Sequence, residues 1–306
     1  MFRGRLGIWI AVIIICVGGT FLIENVPIWL ETFPVSISSE IGDTDILNKS
    51  LDNRYGKYVV KQKSSDHDIV FSRSGEERDG YTLQENMLCT PMVMYVPSYV
   101  DNYSGGFITS GEGMKQQIDL LTVLDAMEAG LSWQDIGVHE KVLSGKVKLY
   151  IPDERNWAYP EVEKLFYLTL NKGKAPTAEE KAMLQTRVDA LMNSCIKVAS
   201  VGAEMYQECN KTSKEHKAFI APETLYLTSK GTRHAYGEYS AFVPVYFPKT
   251  VIVYANAYLK NDSNVANDFI KEIQEDKDFM ADTGWRVRDS TYDISDVSTR
   301  IIKSVS

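Results

Sequence analysis

The stretch Lys148 to Tyr159, KLYIPDERNWAY, runs from an apolar strand through Pro152 into Asp153, Glu154, Arg155, Asn156 and Trp157. Hydrogen-bonding side chains beside an indole at a strand end suit a cleft that holds a small polar molecule, and they equally suit a surface turn. The next segment, YPEVEKLFYLTLN, carries Val162, Leu165, Phe166 and Leu170 on one helical face, so the loop lies between a strand end and a helix start. Backbone N–H groups left over at a helix start can bind an anion or a carboxylate. Asp153, Asn156 and Trp157 are therefore candidate ligand contacts.

Other strand ends carry similar groups. Ser38 and Ser39 close the alternating strand VSISSE, and Ser72 and Arg73 close HDIVFSRSG. Hydroxyls and a guanidinium there suit a carboxylate or oxyanion, with a solvated turn as the alternative. Trp133 and Trp285 are expected to pack helices onto sheets. Catalysis finds little support, and the chain reads as a non-enzyme. The 4 histidines form no metal-ligand pair and no G-x-S-x-G elbow occurs. SGGFITSGEG has the glycines of a phosphate loop, but Glu112 stands after Gly111 where that motif needs lysine.

The 4 cysteines, Cys16, Cys89, Cys195 and Cys209, include no C-x-x-C pair, so neither a structural metal nor a cofactor is expected. A Cys195–Cys209 disulfide and two buried thiols are both compatible with a helix broken at Gly202. The length of 306 residues, 44% hydrophobic and 24% charged, excludes disordered and fibrous classes. A formal net charge of −8 without a Lys/Arg cluster argues against a nucleic-acid partner.

The N-terminus differs from the rest. Arg3 and Arg5 precede an uncharged apolar run from Leu6 to Ile23, with Glu24 directly after it. The run is long enough for a hydrocarbon core of about 30 Å. Its flanking charges orient it as an uncleaved single-pass anchor in the cell membrane, with the C-terminal body outside the cytoplasm; a cleaved signal peptide is the competing reading.

Beyond a linker around Pro27 to Pro34, the order strand VSISSE, helix DTDILNKSLDNRYG, strands KYVVKQKS and HDIVFSRSG opens an α/β domain with parallel pairing. CTPMVMYVPSYV is a longer strand whose Pro91 and Pro97 indicate an edge or a segment crossing between lobes. MKQQIDLLTVLDAMEAG predicts a helix with Ile118, Leu121, Leu124 or Val123, and Met127 inward. PTAEEKAMLQTRVDALMNSC predicts another, opened by a capping box of Thr177 and Glu180. HKAFIAPETLYL and FVPVYFPKTVIVYANAYLKN supply strands, and Ser263 caps a helix with Val265, Phe269 and Ile273 inward and a stop at Gly284.

Four stretches in this order, VSISSE, TPMVMYVP, LSWQDIG through KLYIPDERN, and VPVYFPKTVIVYANAYLKNDSNVANDFIKEIQEDKDFMADTGWR, resemble an extracellular solute-binding protein of the type 2 periplasmic-binding-protein fold. The resemblance spans Val35 to about Arg286. It implies two α/β lobes with mixed sheets joined by crossing hinge strands, here preceded by one transmembrane helix. The organisation expected is an anchor at 1–26, a linker at 27–34, lobe I at 35–95 and 241–290, lobe II at 96–240 and a tail at 291–306. It further implies a cleft that captures a small polar solute by lobe closure, with Glu223 and Tyr226 on the return segment near that cleft. The partner implied is an ABC permease of an importer; a tethered sensor or accessory ligand-binding subunit is the alternative. The solute expected is anionic, with a zwitterion or cation left open by Asp153 and Glu154. Arg73→Ala and Trp157→Ala are each expected to weaken its binding and leave the melting temperature nearly unchanged.

Overall fold

A computed structural model describes residues 33–41, 58–60, 66–97, 108–109, 117–138, 143–199, 205, 217–224, 242–275 and 285–287. The apolar run from Leu6 to Ile23, the expected helix DTDILNKSLDNRYG, Cys209, Tyr226 and the C-terminal tail lie outside them. No helix among the described residues is long and apolar enough to cross a membrane.

In chain order the strands before the first helix are β1 (Phe33–Val35), β2 (Ile37–Ser39), β3 (Tyr58–Val60), β4 (Ile69–Ser72), β5 (Tyr81–Pro97), β6 (Ile108–Thr109) and β7 (Gln117–Ile118). There follow α1 (Leu120–Glu128), β8 (Leu149–Pro152), α2 (Tyr159–Leu170), α3 (Ala178–Ser194), β9 (Ile196–Val198) and β10 (Ala218–Pro222). The chain closes with β11 (Phe242–Val245), β12 (Ile252–Lys260), α4 (Asn264–Glu275) and β13 (Arg286–Val287).

The chain forms two compact units. Unit 1 is Met1–Ser72, Glu76–Leu83 and Ala257–Glu272; unit 2 is Arg73–Gly75, Gln84–Asn256 and Ile273–Ser306. The backbone therefore passes from one unit to the other inside β5 and again inside β12, so both are crossing strands.

In unit 1, β1 pairs with β3 and β2 with β4, both parallel. The two short strands β1 and β2 are parted at Ser36, whose N–H and hydroxyl both donate to Asp68 Oδ2, at 2.8 and 2.5 Å. All four residues of β4 are buried, as expected of a parallel strand covered on both faces. The Ser263 hydroxyl accepts the Ala266 N–H at 3.2 Å and starts α4, which buries Ala266, Phe269 and Ile270. Ile273, where α4 has passed into unit 2, is buried too, while Val265 is only half-buried.

In unit 2, β8 pairs parallel with β9 and β10, and β10, β11 and β13 each pair antiparallel with β5. β5 has strands on both sides, yet its prolines cost little. Pro91 stands one residue past the β10 ladder, which ends at Met92 opposite Pro222, and Pro97 sits at the end of the β11 ladder. The core joins Met92, Met94, Leu149, Ile151 and Ile220 of the sheet to Val123 and Leu124 of α1, Val162, Leu165 and Phe166 of α2, and Val188 and Leu191 of α3.

Helix starts follow local chemistry. Asp119 caps α1 by accepting the Leu121 N–H at 3.1 Å, so Ile118 belongs to β7 and the inward face of the helix is Leu120, Val123, Leu124 and Ala126. The capping box of α3 forms as expected, with Glu180 N–H to Thr177 Oγ1 at 3.2 Å and Thr177 N–H to Glu180 Oε2 at 2.8 Å. Arg187 of α3 reaches Asp125 and Glu128 of α1 at 2.6 and 2.5 Å.

Cys195 caps the C-terminus of α3 as a buried thiol, and a bridge to Cys209 lies outside the described residues. Burial pushes its pKa up to about 12. Thiolate is the reactive form, and at pH 7.5 it is then a trace of the population. Iodoacetamide at that pH is expected to leave Cys195 unlabelled in native protein and to label it after unfolding in urea, as read by peptide mass mapping. Rapid labelling of the native protein would contradict this burial.

Candidate functional site

The polar loop that follows β8 is built by short-range hydrogen bonds of backbone and side chains. Asp153 O accepts the Asn156 N–H at 2.9 Å, and Asn156 Oδ1 accepts the Ala158 N–H at 2.9 Å, which turns the chain into α2. Asp153 is committed to Arg155, with Arg155 N–H on Oδ1 at 3.0 Å and Nε and Nη2 on Oδ2 at 3.0 and 2.5 Å. The Arg155 guanidinium holds the Asp153 carboxyl below its ordinary pKa. Glu154 pairs with Lys197, whose own pKa this bond raises.

Arg73, the first residue after β4, belongs to unit 2 and meets this loop there. Its Nη1 donates to Trp157 O at 2.9 Å, its Nη2 donates to Glu161 Oε1 at 2.5 Å, and its guanidinium carbon lies 4.7 Å from the Trp157 ring centroid. Glu161 is buried, and it also accepts Lys164 Nζ at 3.1 and 3.0 Å. Trp157 stacks on the buried Trp285 at 6.5 Å between ring centroids. Arg73, Asn156 and Trp157, 84 residues apart in the case of the Arg73–Trp157 bond, are thus brought together. Asp153 is on the same loop but faces Arg155.

The other candidates stand elsewhere. Ser38 and Ser39 end β2 in unit 1, half-buried, with Ser39 Oγ accepting the Ile41 N–H at 3.4 Å. Ser72 is buried at the end of β4 in the same unit, 3.5 Å from Arg78 Nη2.

Glu223, at the end of β10 in unit 2, is buried in a bidentate ion pair with Arg286, Oε2 to Nε at 2.7 Å and Oε1 to Nη2 at 2.6 Å. The Tyr246 hydroxyl also donates to Oε1. Burial, and then the Glu223 charge, lift the Tyr246 phenol well above its ordinary pKa. For Arg286 burial works against the cation, yet the Glu223 carboxylate outweighs it and the pKa is raised.

Glu161, Lys164, Arg286 and Tyr246 were not among the sequence candidates. Glu161 is 88 residues from Arg73 and Arg286 is 63 from Glu223, so no local spacing announces either pair. Among the described residues no group of three or more His, Cys, Asp and Glu side chains is arranged to hold a metal ion.

No family model matches the chain, and no curated protein matches it in sequence. Solved structures do resemble it. One, reported with xylan utilization by the thermophilic bacterium Caldanaerobius polysaccharolyticus, is 8% identical with a TM-score of 0.51 over 89% of this chain and 87% of that one. The substrate-binding domain of a putative molybdenum ABC transporter from Clostridium difficile is 8% identical, with a TM-score of 0.48 over 84% and 99%. Iron-bound HitA from Pseudomonas aeruginosa is 8% identical, with a TM-score of 0.46 over 89% and 98%. The first likeness is a likeness of fold alone. With two α/β units and two strands that cross between them, the architecture is the one that the sequence resemblance implied. Fold alone assigns no ligand.

Proposed function

We propose that this chain is an extracytoplasmic binding protein for a small anionic solute, held at the membrane by its N-terminal apolar run and serving an ABC-type importer. One observation carries the reading: a surplus of hydrogen-bond donors at the carboxyl end of β8. Arg73 commits two N–H groups and keeps three, and the Trp157 indole N–H and the Asn156 side-chain amide take no acceptor among the described residues. The nearby carboxylates are already used, Asp153 by Arg155 and Glu161 by Arg73 and Lys164. A solute that supplies acceptors, a carboxylate or an oxyanion, complements that surplus, and α/β sheets bind ligands beyond their carboxyl strand ends. The importer and the tether rest on the fold and on the charges flanking Leu6 to Ile23.

Full-length protein is expected to fractionate with membranes and to need detergent for extraction. Native mass spectrometry of that material is expected to show a small acidic molecule bound to the chain, absent from Arg73→Ala prepared in the same way. A protein that carries no small molecule, and gains none when offered amino acids, dicarboxylates, phosphate and molybdate, would overturn the reading.

A further inference from the structure

The segment Arg73–Arg78 joins β4 to the turn before β5 without belonging to any strand. Side chains from other segments fasten it. Asn256 of β12 donates its Nδ2 to Ser74 O at 2.8 Å, and Tyr258, two residues on and so on the same face of β12, donates its hydroxyl to Glu76 O at 2.7 Å. The two ends are held by arginines, Arg73 by Glu161 and Arg78 by Glu40 at 2.7 Å with its guanidinium over the Tyr258 ring at 4.5 Å.

Asn256 makes a second bond. Its Oδ1 accepts the N–H of Asn86 at 2.7 Å, and Asn86 lies within β5 at φ +54°, a left-handed backbone that asparagine adopts more readily than most residues. One amide, only 9% exposed, therefore uses both its donor and its acceptor on two separate segments. These segments are special in the chain path. Asn256 is the last residue of unit 2 before β12 enters unit 1, Ser74 lies in the three-residue piece 73–75 that belongs to unit 2, and Asn86 lies just past the passage at Leu83.

We infer that Arg73–Arg78 is a releasable strap and that Asn256 is its fastening residue, locking together three of the segments of chain that pass from one unit to the other. An amide is suited to this because it alone among small side chains offers a donor and an acceptor on one rigid plane. Breaking it removes the Asn256 bonds to the Ser74 carbonyl and the Asn86 N–H in one event and leaves the strap held by Tyr258 and by the arginines at its ends. Since Arg73 is the first residue of the strap, its guanidinium is positioned beside Trp157 by the same fastener.

Amide hydrogen exchange on the full-length protein tests this without any ligand, so its failure is separable from a failure of the binding reading. In Asn256→Ala the Asn86 amide and the amides of residues 74–78 are expected to exchange roughly ten- to a hundred-fold faster than in the parent, with α3 unchanged. Asn256→Asp keeps an acceptor for Asn86 and loses the donor to Ser74, so it loosens residues 74–78 while Asn86 stays protected; it also serves if the alanine variant does not fold. Tyr258→Phe loosens the strap around Glu76 and leaves Asn86 alone. Parent-like exchange at Asn86 in Asn256→Ala overturns the inference. So does equal acceleration throughout α3 and β8 in Asn256→Asp, because Asn256 would then be a general support of unit 2.

Discussion

Arg286→Ala is expected to lower the stability of unit 2 by about 3–5 kcal/mol, because it strands the Glu223 carboxylate where almost no water reaches it. Glu223 is 1% exposed and Arg286 6%, and the guanidinium fork meets both carboxylate oxygens. The loss measures the penalty of an unpaired buried charge, not the worth of the pair. Glu223→Leu combined with Arg286→Met and Tyr246→Phe, which leaves no polar group of the trio without a partner, is expected to recover most of it. Urea unfolding followed by tryptophan fluorescence gives the comparison. If the triple variant is no more stable than Arg286→Ala, the penalty lies in packing and the argument from stranded charge is wrong. A pH dependence belongs to the same trio. The Tyr246 pKa is raised in the folded protein, so its contribution is complete below the ordinary phenol value of about 10 and is lost as pH rises toward the folded value. The alkaline loss should shrink in Tyr246→Phe.

The elements that could be read from the sequence are those whose signals are local. Thr177 and Glu180 are three apart and define the start of α3 by themselves, and Val162, Leu165 and Phe166 fix the buried face of α2 by spacing. The parallel pairing of β2 with β4 followed from a strand, helix and strand pattern. What could not be read depends on distant partners. Leu149 to Pro152 ends in a polar loop as the sequence suggests, but Asp153 is a turn-forming group satisfied by Arg155, and only the fold could bring Glu161 to Arg73. Glu223 was visible as a carboxylate at a strand end, whereas its partner Arg286 comes from a two-residue strand whose place is set by pairing with Leu88 and Cys89. Asn256 and Tyr258 alternate within an apolar strand, and nothing in that alternation says that their tips hold the backbone of residues 74 and 76.

The contact between Arg73 and Glu161 alters what a substitution at the candidate site should do. From sequence, Arg73→Ala removes a solvated ligand contact and leaves the melting temperature nearly unchanged. In the structure the same change takes two hydrogen bonds and a cation–π contact from unit 2 and leaves the buried Glu161 with Lys164 as its partner. Lys164 is 62% exposed and bound within one helical turn, so it compensates in part, and the expected loss is about 1–3 kcal/mol of stability. Binding should fall further. A charge-assisted hydrogen bond contributes about 1.5–3 kcal/mol, so loss of the guanidinium should weaken the co-purified solute about 10- to 100-fold in calorimetry. Arg73→Lys separates the two effects: an ammonium keeps the charge on Glu161 but lacks the planar fork that can hold Glu161, the Trp157 carbonyl and a solute together. It should restore most of the stability and little of the affinity. Glu161→Gln tests the other partner, since it keeps an acceptor for Arg73 while removing the negative charge beside it; affinity for an anion should rise or hold as the melting temperature falls. If Arg73→Ala loses stability yet binds the solute like the parent, Arg73 is a structural tie within unit 2, and the surplus donors beyond β8 are not where the solute sits.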